Sequence, residues 1–443
     1  MSQVAAAPVT QRDGSVAKRA LFGAWVGFYV DLFDIFLPVL VLGPALGYFV
    51  PGSFGPTATA IVGASVFAAT LLGRPLGALI FGHLADTMGR RRTTIVAVGG
   101  AGVATLILGL LPGYQQWGIA AVVCMIALRF LAGIFLGGEY TAANPLAMEA
   151  APKEKRGLYS GLICTAYPLS YATISLITVI LLSVLPSGPP DSAYSQWGWR
   201  IPFILGGLLT FTLAIYYRRY VDESEIFAKS QTKKSPILSV FSEGNLRSFL
   251  RAFVLMSGFW FALQPVAAVL PGLLAERGAG LSPRAISVAL AIIYLVLAFA
   301  HPAAGAVSQR TGRRPFLIVA GGIIAVGGAF LYYLLVRVAP DNGWLAVVLM
   351  GLVTASVIAP WALLTAYLNE QFHTGVRASG YGLGYSLALI PPSFYAFYQA
   401  GLATLMPFEY TGLVLMALGG LLVVLGATWG PETKDVDFAK DVG

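Results

Sequence analysis

Charge is what this 443-residue chain has least of: Asp, Glu, Lys and Arg make up 11% of it, where a soluble domain carries roughly 25%. Histidine and cysteine are scarcer still, three and two residues in separate segments. Neither a disulfide framework nor a His/Cys metal centre has the material it needs. Cys124 and Cys164 stand alone in apolar runs and read as packing residues. A phosphate loop of the Gly-x-x-x-x-Gly-Lys-Ser/Thr type is missing, which argues against ATP as an energy source. No cofactor, metal or enzymatic chemistry is expected. The polar first nineteen residues run straight into a full-length apolar stretch, so a tail is expected there and not a cleaved leader.

What fills the chain is hydrocarbon. Hydrophobic residues are 57% of it and mean hydropathy is +0.77, laid out as apolar runs between short polar breaks. At about 20 apolar residues per crossing there is room for roughly twelve helices. The expected fold is an all-α membrane protein of 12 transmembrane helices in two six-helix bundles. Its expected divisions are a tail over 1–19, a bundle over 20–217, a linker over 218–251, a second bundle over 252–429 and a tail over 430–443. The linker contains an amphipathic surface helix at 236–249. Net charge is +8, yet the basic residues follow topology. Most, such as Lys18, Arg90 to Arg92, Arg218, Arg219, Arg313 and Arg314, fall on one side, and Arg200, Arg277, Arg284 and Arg337 on the other. That asymmetry predicts both termini in the cytoplasm and a place in the inner membrane, and it explains the basic balance without nucleic acid. A monomer surrounded by lipid is expected.

Ionisable residues interrupt these runs at mid-depth, where a charge costs several kcal/mol unless it faces protein or water. Asp31 and Asp34 lie i, i+3 on one face of the first span. At about 1.5 Å per residue they sit roughly 18 to 22 Å from the inner face, and Arg129 of the fourth span about 18 Å from the outer one. In a core roughly 30 Å thick an arginine side chain covers the difference. The plainer reading is a static ion pair that fixes helix packing. The functional one is that two acids against one base leave surplus negative charge, so one carboxyl carries a proton. Asp34 is the favoured carrier, with Asp31 as its partner or as the resting counter-ion of Arg129. Arg129 offers its planar fork to an anionic solute. Arg74, within the second span but nearer the cytoplasm, reads as a packing or snorkelling residue.

The two halves repeat. Gly82, Gly89, Arg90 and Arg91 are matched at one constant offset by Gly305, Gly312, Arg313 and Arg314, and Glu149 and Arg156 by Glu370 and Arg377 at nearly the same offset. Two half-molecules joined by a charged linker is the layout of a transporter built from parallel repeats, with its site between them. The loop Gly82 to Arg92 resembles the signature loop of the major facilitator superfamily. Arg74-Pro75-Leu76-Gly77, Gly137-Gly138-Glu139, Gly198-Trp199-Arg200, Arg377-Ala378-Ser379-Gly380 and Pro431-Glu432-Thr433-Lys434 are similar to its metabolite:proton, sialate:proton and aromatic-acid:proton symporter families. The pair Asp31-Leu32-Phe33-Asp34 resembles the last two more closely. Gln309, where the second loop carries Asp in that pattern, and Tyr140, where Trp follows Gly-Gly-Glu, are departures.

The resemblance implies a proton-coupled symporter that imports a small organic anion, a mono- or dicarboxylate, by alternating access. The rival expectations are a neutral or zwitterionic solute such as a sugar or betaine, an organic-acid exporter or exchanger, and a sensor that binds without transporting. Asp86, Arg90, Glu139, Glu149, Arg156, Glu370 and Arg377 form the expected cytoplasmic charge network, for some of which solvated, topology-setting charge is the plainer reading. Trp260, Gln264, His301, Trp361 and Tyr385 are the second half's polar or amphipathic residues within spans, candidates for substrate contact beside the plainer role of packing. Pro391-Pro392 should kink the eleventh span.

Overall fold

The structure is a computed structural model that describes residues 14–88, 90–138, 144–145, 147–149, 151–220, 240–372 and 376–438. Every regular element among them is helical. Eleven are long and apolar enough to cross a membrane. They are α1 (Gly14–Val41), α2 (Gly55–Met88), α3 (Arg90–Gly109), α4 (Ile119–Leu136), α5 (Lys153–Val184) and α6 (Tyr194–Arg219). The later ones are α7 (Gly244–Arg277), α8 (Pro283–Thr311), α9 (Arg313–Val338), α10 (Gly343–Glu370) and, last in the chain, α12 (Phe408–Trp429). Between α10 and α12 the apolar segment α11 is broken into three helices, Arg377–Leu387, Ile390–Ser393 and Tyr395–Leu402. Pro391-Pro392 removes two successive backbone donors there, so the expected kink is a break.

One boundary differs from expectation. The surface helix expected over 236–249 lies partly outside the described residues, and from Glu243 the chain is already in the helix Glu243–Gln264. Leu246, Phe249 and Leu250 are thus part of the membrane-length helix itself.

Helices of the first half pack chiefly as α2 on α4, α3 on α6 and α1 on α5, and those of the second as α7 and α9 on α12. The halves meet where α5 lies along α8 and where α2 meets α11. Lys18, Arg156, Arg313 and Arg377 mark one end of the molecule, the basic face. Both described chain ends lie there: Lys18 shares a cleft with Leu162, and Arg156 donates to the Val436 carbonyl.

The α2–α4 crossing sets the site. Gly73 and Gly77 face Gly133 and Gly137, and a Cβ on any of these four would collide with backbone of the opposite helix. Only hydrogen at these positions lets the axes approach closely. That approach brings Thr70, Arg74 and Arg129 to one level.

Candidate functional site

Four charges meet inside the first half, all buried. Arg129 of α4 donates from Nη1 to Asp34 Oδ2 at 2.9 Å, from Nη2 to the Asp34 carbonyl at 2.8 Å and from Nε to Thr70 Oγ1 at 2.9 Å. Thr105 of α3 donates to the other Asp34 oxygen. Arg74 of α2 grips Asp31 with both terminal nitrogens, Nη1 to Oδ1 at 2.7 Å and Nη2 to Oδ2 at 2.8 Å.

Two expectations are corrected here. The resting counter-ion of Arg129 is Asp34, and Asp31 belongs to Arg74. Arg74 does not snorkel: it is 1% exposed and holds a bidentate pair. The cluster is therefore two acids against two bases, and the expected surplus of negative charge is absent. The two pairs are unequal. A two-bond fork is the stronger arrangement, whereas Asp34 gives Arg129 a single side-chain contact and Arg129 keeps two further partners without it.

The second half presents the opposite situation. Trp260, Gln264, His301 and Trp361 are buried, and their polar atoms Nε1, both amide atoms, Nε2 and Nε1 respectively have no hydrogen-bond partner. The His301 Nδ1 lies 2.8 Å from the Leu297 carbonyl. A carbonyl only accepts, so Nδ1 carries the hydrogen and Nε2 of the neutral ring is a bare acceptor. Buried polar groups left unpaired are costly and call for an explanation, of which an absent ligand is one.

Their helices are irregular at the same places. A π-helical turn, Pro265–Val269, follows Gln264 directly, and Trp361 lies in a 3-10 turn, Ala359–Leu363, opened by Pro360. Such interruptions leave backbone groups without helical partners, and α5 takes them up. Tyr171 donates to the Ala267 carbonyl at 2.9 Å, and the Cys164 thiol to that of Trp361 at 3.3 Å. Ser160 donates to the Ala362 carbonyl and accepts from the Ala366 amide. Aromatic rings close the space between: Tyr171 stacks on Tyr294 at 3.8 Å, Phe36 meets Tyr167 at 5.2 Å, and Trp260 meets Trp361 at 4.9 Å and Tyr385 at 5.7 Å.

At the basic face two ion pairs join the halves. Arg377 Nη1 lies 2.8 Å from Glu149 and Arg156 Nη1 3.7 Å from Glu370. Glu370 is shared with Arg313 at 3.2 Å and accepts from Thr433 Oγ1. The two bridges are repeat equivalents, each arginine reaching the glutamate of the other half. The side chains of Asp86 and Arg90, and all of Glu139, lie outside the described residues. Sequence reasoning missed Thr70 and Thr105, the α5 donors, Tyr294 and the contribution of the C-terminal segment. Prolines 265 and 360 were the available signal for the α5 contacts.

The model of the Major Facilitator Superfamily matches residues 24–396. The chain belongs to the major facilitator superfamily. It is 27% identical over 94% of both chains to the inner membrane metabolite transport protein YhjE of Escherichia coli. It is 28% identical over 86% of both chains to the alpha-ketoglutarate permease of the same organism. Among solved structures, the proton:xylose symporter XylE overlays with a TM-score of 0.71 at 16% identity, covering 95% of this chain and 97% of that one, a likeness of fold alone. This superfamily member is a multi-pass inner-membrane transporter and not an enzyme.

Proposed function

We propose that the protein is a proton-coupled symporter that imports a small organic anion by alternating access between two six-helix bundles, its basic face toward the cytoplasm. The observation that carries this reading is the Asp34–Arg129 contact: a buried guanidinium, each nitrogen of which has an acceptor, tied through one bond to a carboxylate. A proton on Asp34 cancels the negative charge that faces Arg129 and frees that edge of the fork for a carboxylate. The unpartnered N–H groups of Trp260, Gln264 and Trp361 supply further donors to the anion, while His301 Nε2 and the Gln264 oxygen accept only from a donor elsewhere on the solute. Proton and anion taken up together keep the site's charge balanced, so closing it buries no net charge, and the bundles rock. Asp34 is assigned the proton because its carboxylate meets Arg129 through one bond, whereas Arg74 holds Asp31 through two. The Arg156–Glu370 and Arg377–Glu149 bridges are then the inner gate, closed in the state described.

Proteoliposome uptake under an imposed pH gradient tests this. Asp34→Asn should abolish gradient-driven uptake of an organic acid while exchange of preloaded acid persists. Acid-stimulated uptake at the wild-type level in that variant would sink the assignment. A second reading, a neutral hydrogen-bonding solute, is favoured by the uncharged character of the second-half groups. Competition by simple monocarboxylates and dicarboxylates separates the two, since a neutral solute's uptake would not respond to them.

A further inference from the structure

Beyond α12 the described residues, through Phe438, form no helix or strand, yet they stay on the molecule. From Pro431 the chain runs across the basic face of the second half and ends its described course between the two halves. Tyr367 donates to the Pro431 carbonyl and Thr433 to Glu370. Arg156 Nη1 donates to the Val436 carbonyl at 2.9 Å. The Phe438 ring centroid lies 3.8 Å from the Arg156 guanidinium carbon and 3.7 Å from that of Arg377. Two guanidiniums at that distance do not fit over one face of a ring, so Phe438 is sandwiched, one cation on each side. These are the two arginines whose glutamate partners lie in the opposite half.

We propose that Phe438 is a positioning residue of the inner gate: by filling the space between Arg156 and Arg377 it holds each guanidinium in line with its acid across the halves, and so favours the state closed toward the cytoplasm. The ring does two things that an aliphatic side chain cannot. Each of its faces carries negative quadrupole toward a cation, and its body separates two like charges that would otherwise face each other. Since Arg156 comes from α5 and Arg377 from α11, opening the gate draws the two cations apart and strips the ring of at least one. The inference rests on reading those ion pairs as the inner gate.

The chain carries its own reporter. Cys164 is buried on α5 two turns deeper than Arg156, with its thiol against the Trp361 carbonyl, and Cys124 is the other cysteine. In a Cys124→Ser background, inverted membrane vesicles turn the basic face outward. A membrane-impermeant maleimide then reads gate opening as the labelling rate of Cys164. Phe438→Ala should raise that rate at least threefold with an unchanged melting temperature, and Phe438→Trp should keep it near wild type. Glu149→Gln combined with Glu370→Gln serves as the reference for an opened gate. If the reference labels faster and Phe438→Ala does not, Phe438 has no such role and the gate reading stands. If Phe438→Trp labels as fast as Phe438→Ala, or Phe438→Ala lowers only the melting temperature, the ring is packing and nothing more. If the reference itself labels at the wild-type rate, gate and clasp both fall.

Discussion

Away from the basic face, the first half of this transporter pairs a buried cluster of charge, whereas the second leaves a buried cluster of neutral polar groups unpaired. Asp31, Asp34, Arg74 and Arg129 have partners for their charged groups within a few helical turns. Trp260, Gln264, His301 and Trp361 have polar atoms without any. Burial is nearly complete on both sides, so the difference is one of purpose. Paired charge holds a bundle in one arrangement until a proton changes the balance. Unpaired neutral groups add nothing to the closed state and gain only when something else is present.

The contrast predicts opposite signs for the same kind of substitution. Arg74→Ala would leave Asp31 charged and alone at mid-membrane, and should cost about 3–5 kcal/mol, read as a large fall in melting temperature of the purified protein. The charge-free pair Asp31→Asn with Arg74→Gln should recover most of it. An Arg74→Ala protein as stable as wild type would erase the distinction between the halves. In the second half, Gln264→Leu removes two unpaired atoms and should stabilise the protein by about 1 kcal/mol, while raising KM for uptake tenfold or more. A lower melting temperature with an unchanged KM would show that Gln264 is ordinary packing.

The smallest effect belongs to the two signature loops. The second is held by a carboxylate: Glu432 accepts from the backbone amides of Arg313, Arg314, Thr433 and Lys434. Burial pushes this carboxyl up, but those amides outweigh it and hold it below the ordinary carboxylate range. A carboxyl depressed on folding stabilises above its unfolded pKa and ceases to as pH falls through its folded one. The melting-temperature difference between wild type and Glu432→Gln should therefore be present at pH 7 and vanish in strong acid. A difference that grows with acidification would reverse the sign.

Much of this was written in the chain. Hydropathy and the repeated Gly-Arg-Arg and Glu/Arg pairs pointed to the helical architecture and to a charge network at the basic face, without saying which acid meets which base. Counting rise per residue brought Asp34 and Arg129 together because α1 and α4 run nearly unbroken through the core. Arg74 was passed over, although the same count from Gly89 sets it roughly 22 Å from the inner face, level with the acid it grips. The α5 contacts were illegible for a different reason. They end on main-chain atoms freed by turns at Pro265 and Pro360, and a sequence names side chains only. Phe438 is a lone aromatic in a polar tail, and no periodicity ties it to two arginines remote in sequence.

That the bonds from α5 end on carbonyl oxygens has an evolutionary corollary. Any amino acid brings a carbonyl, so side chains at 267, 361 and 362 are free to drift while Ser160, Cys164 and Tyr171 keep their acceptors. What the pocket prefers to carry is thereby uncoupled from how the door shuts, and a lineage can exchange one cargo for another without rebuilding the hinge.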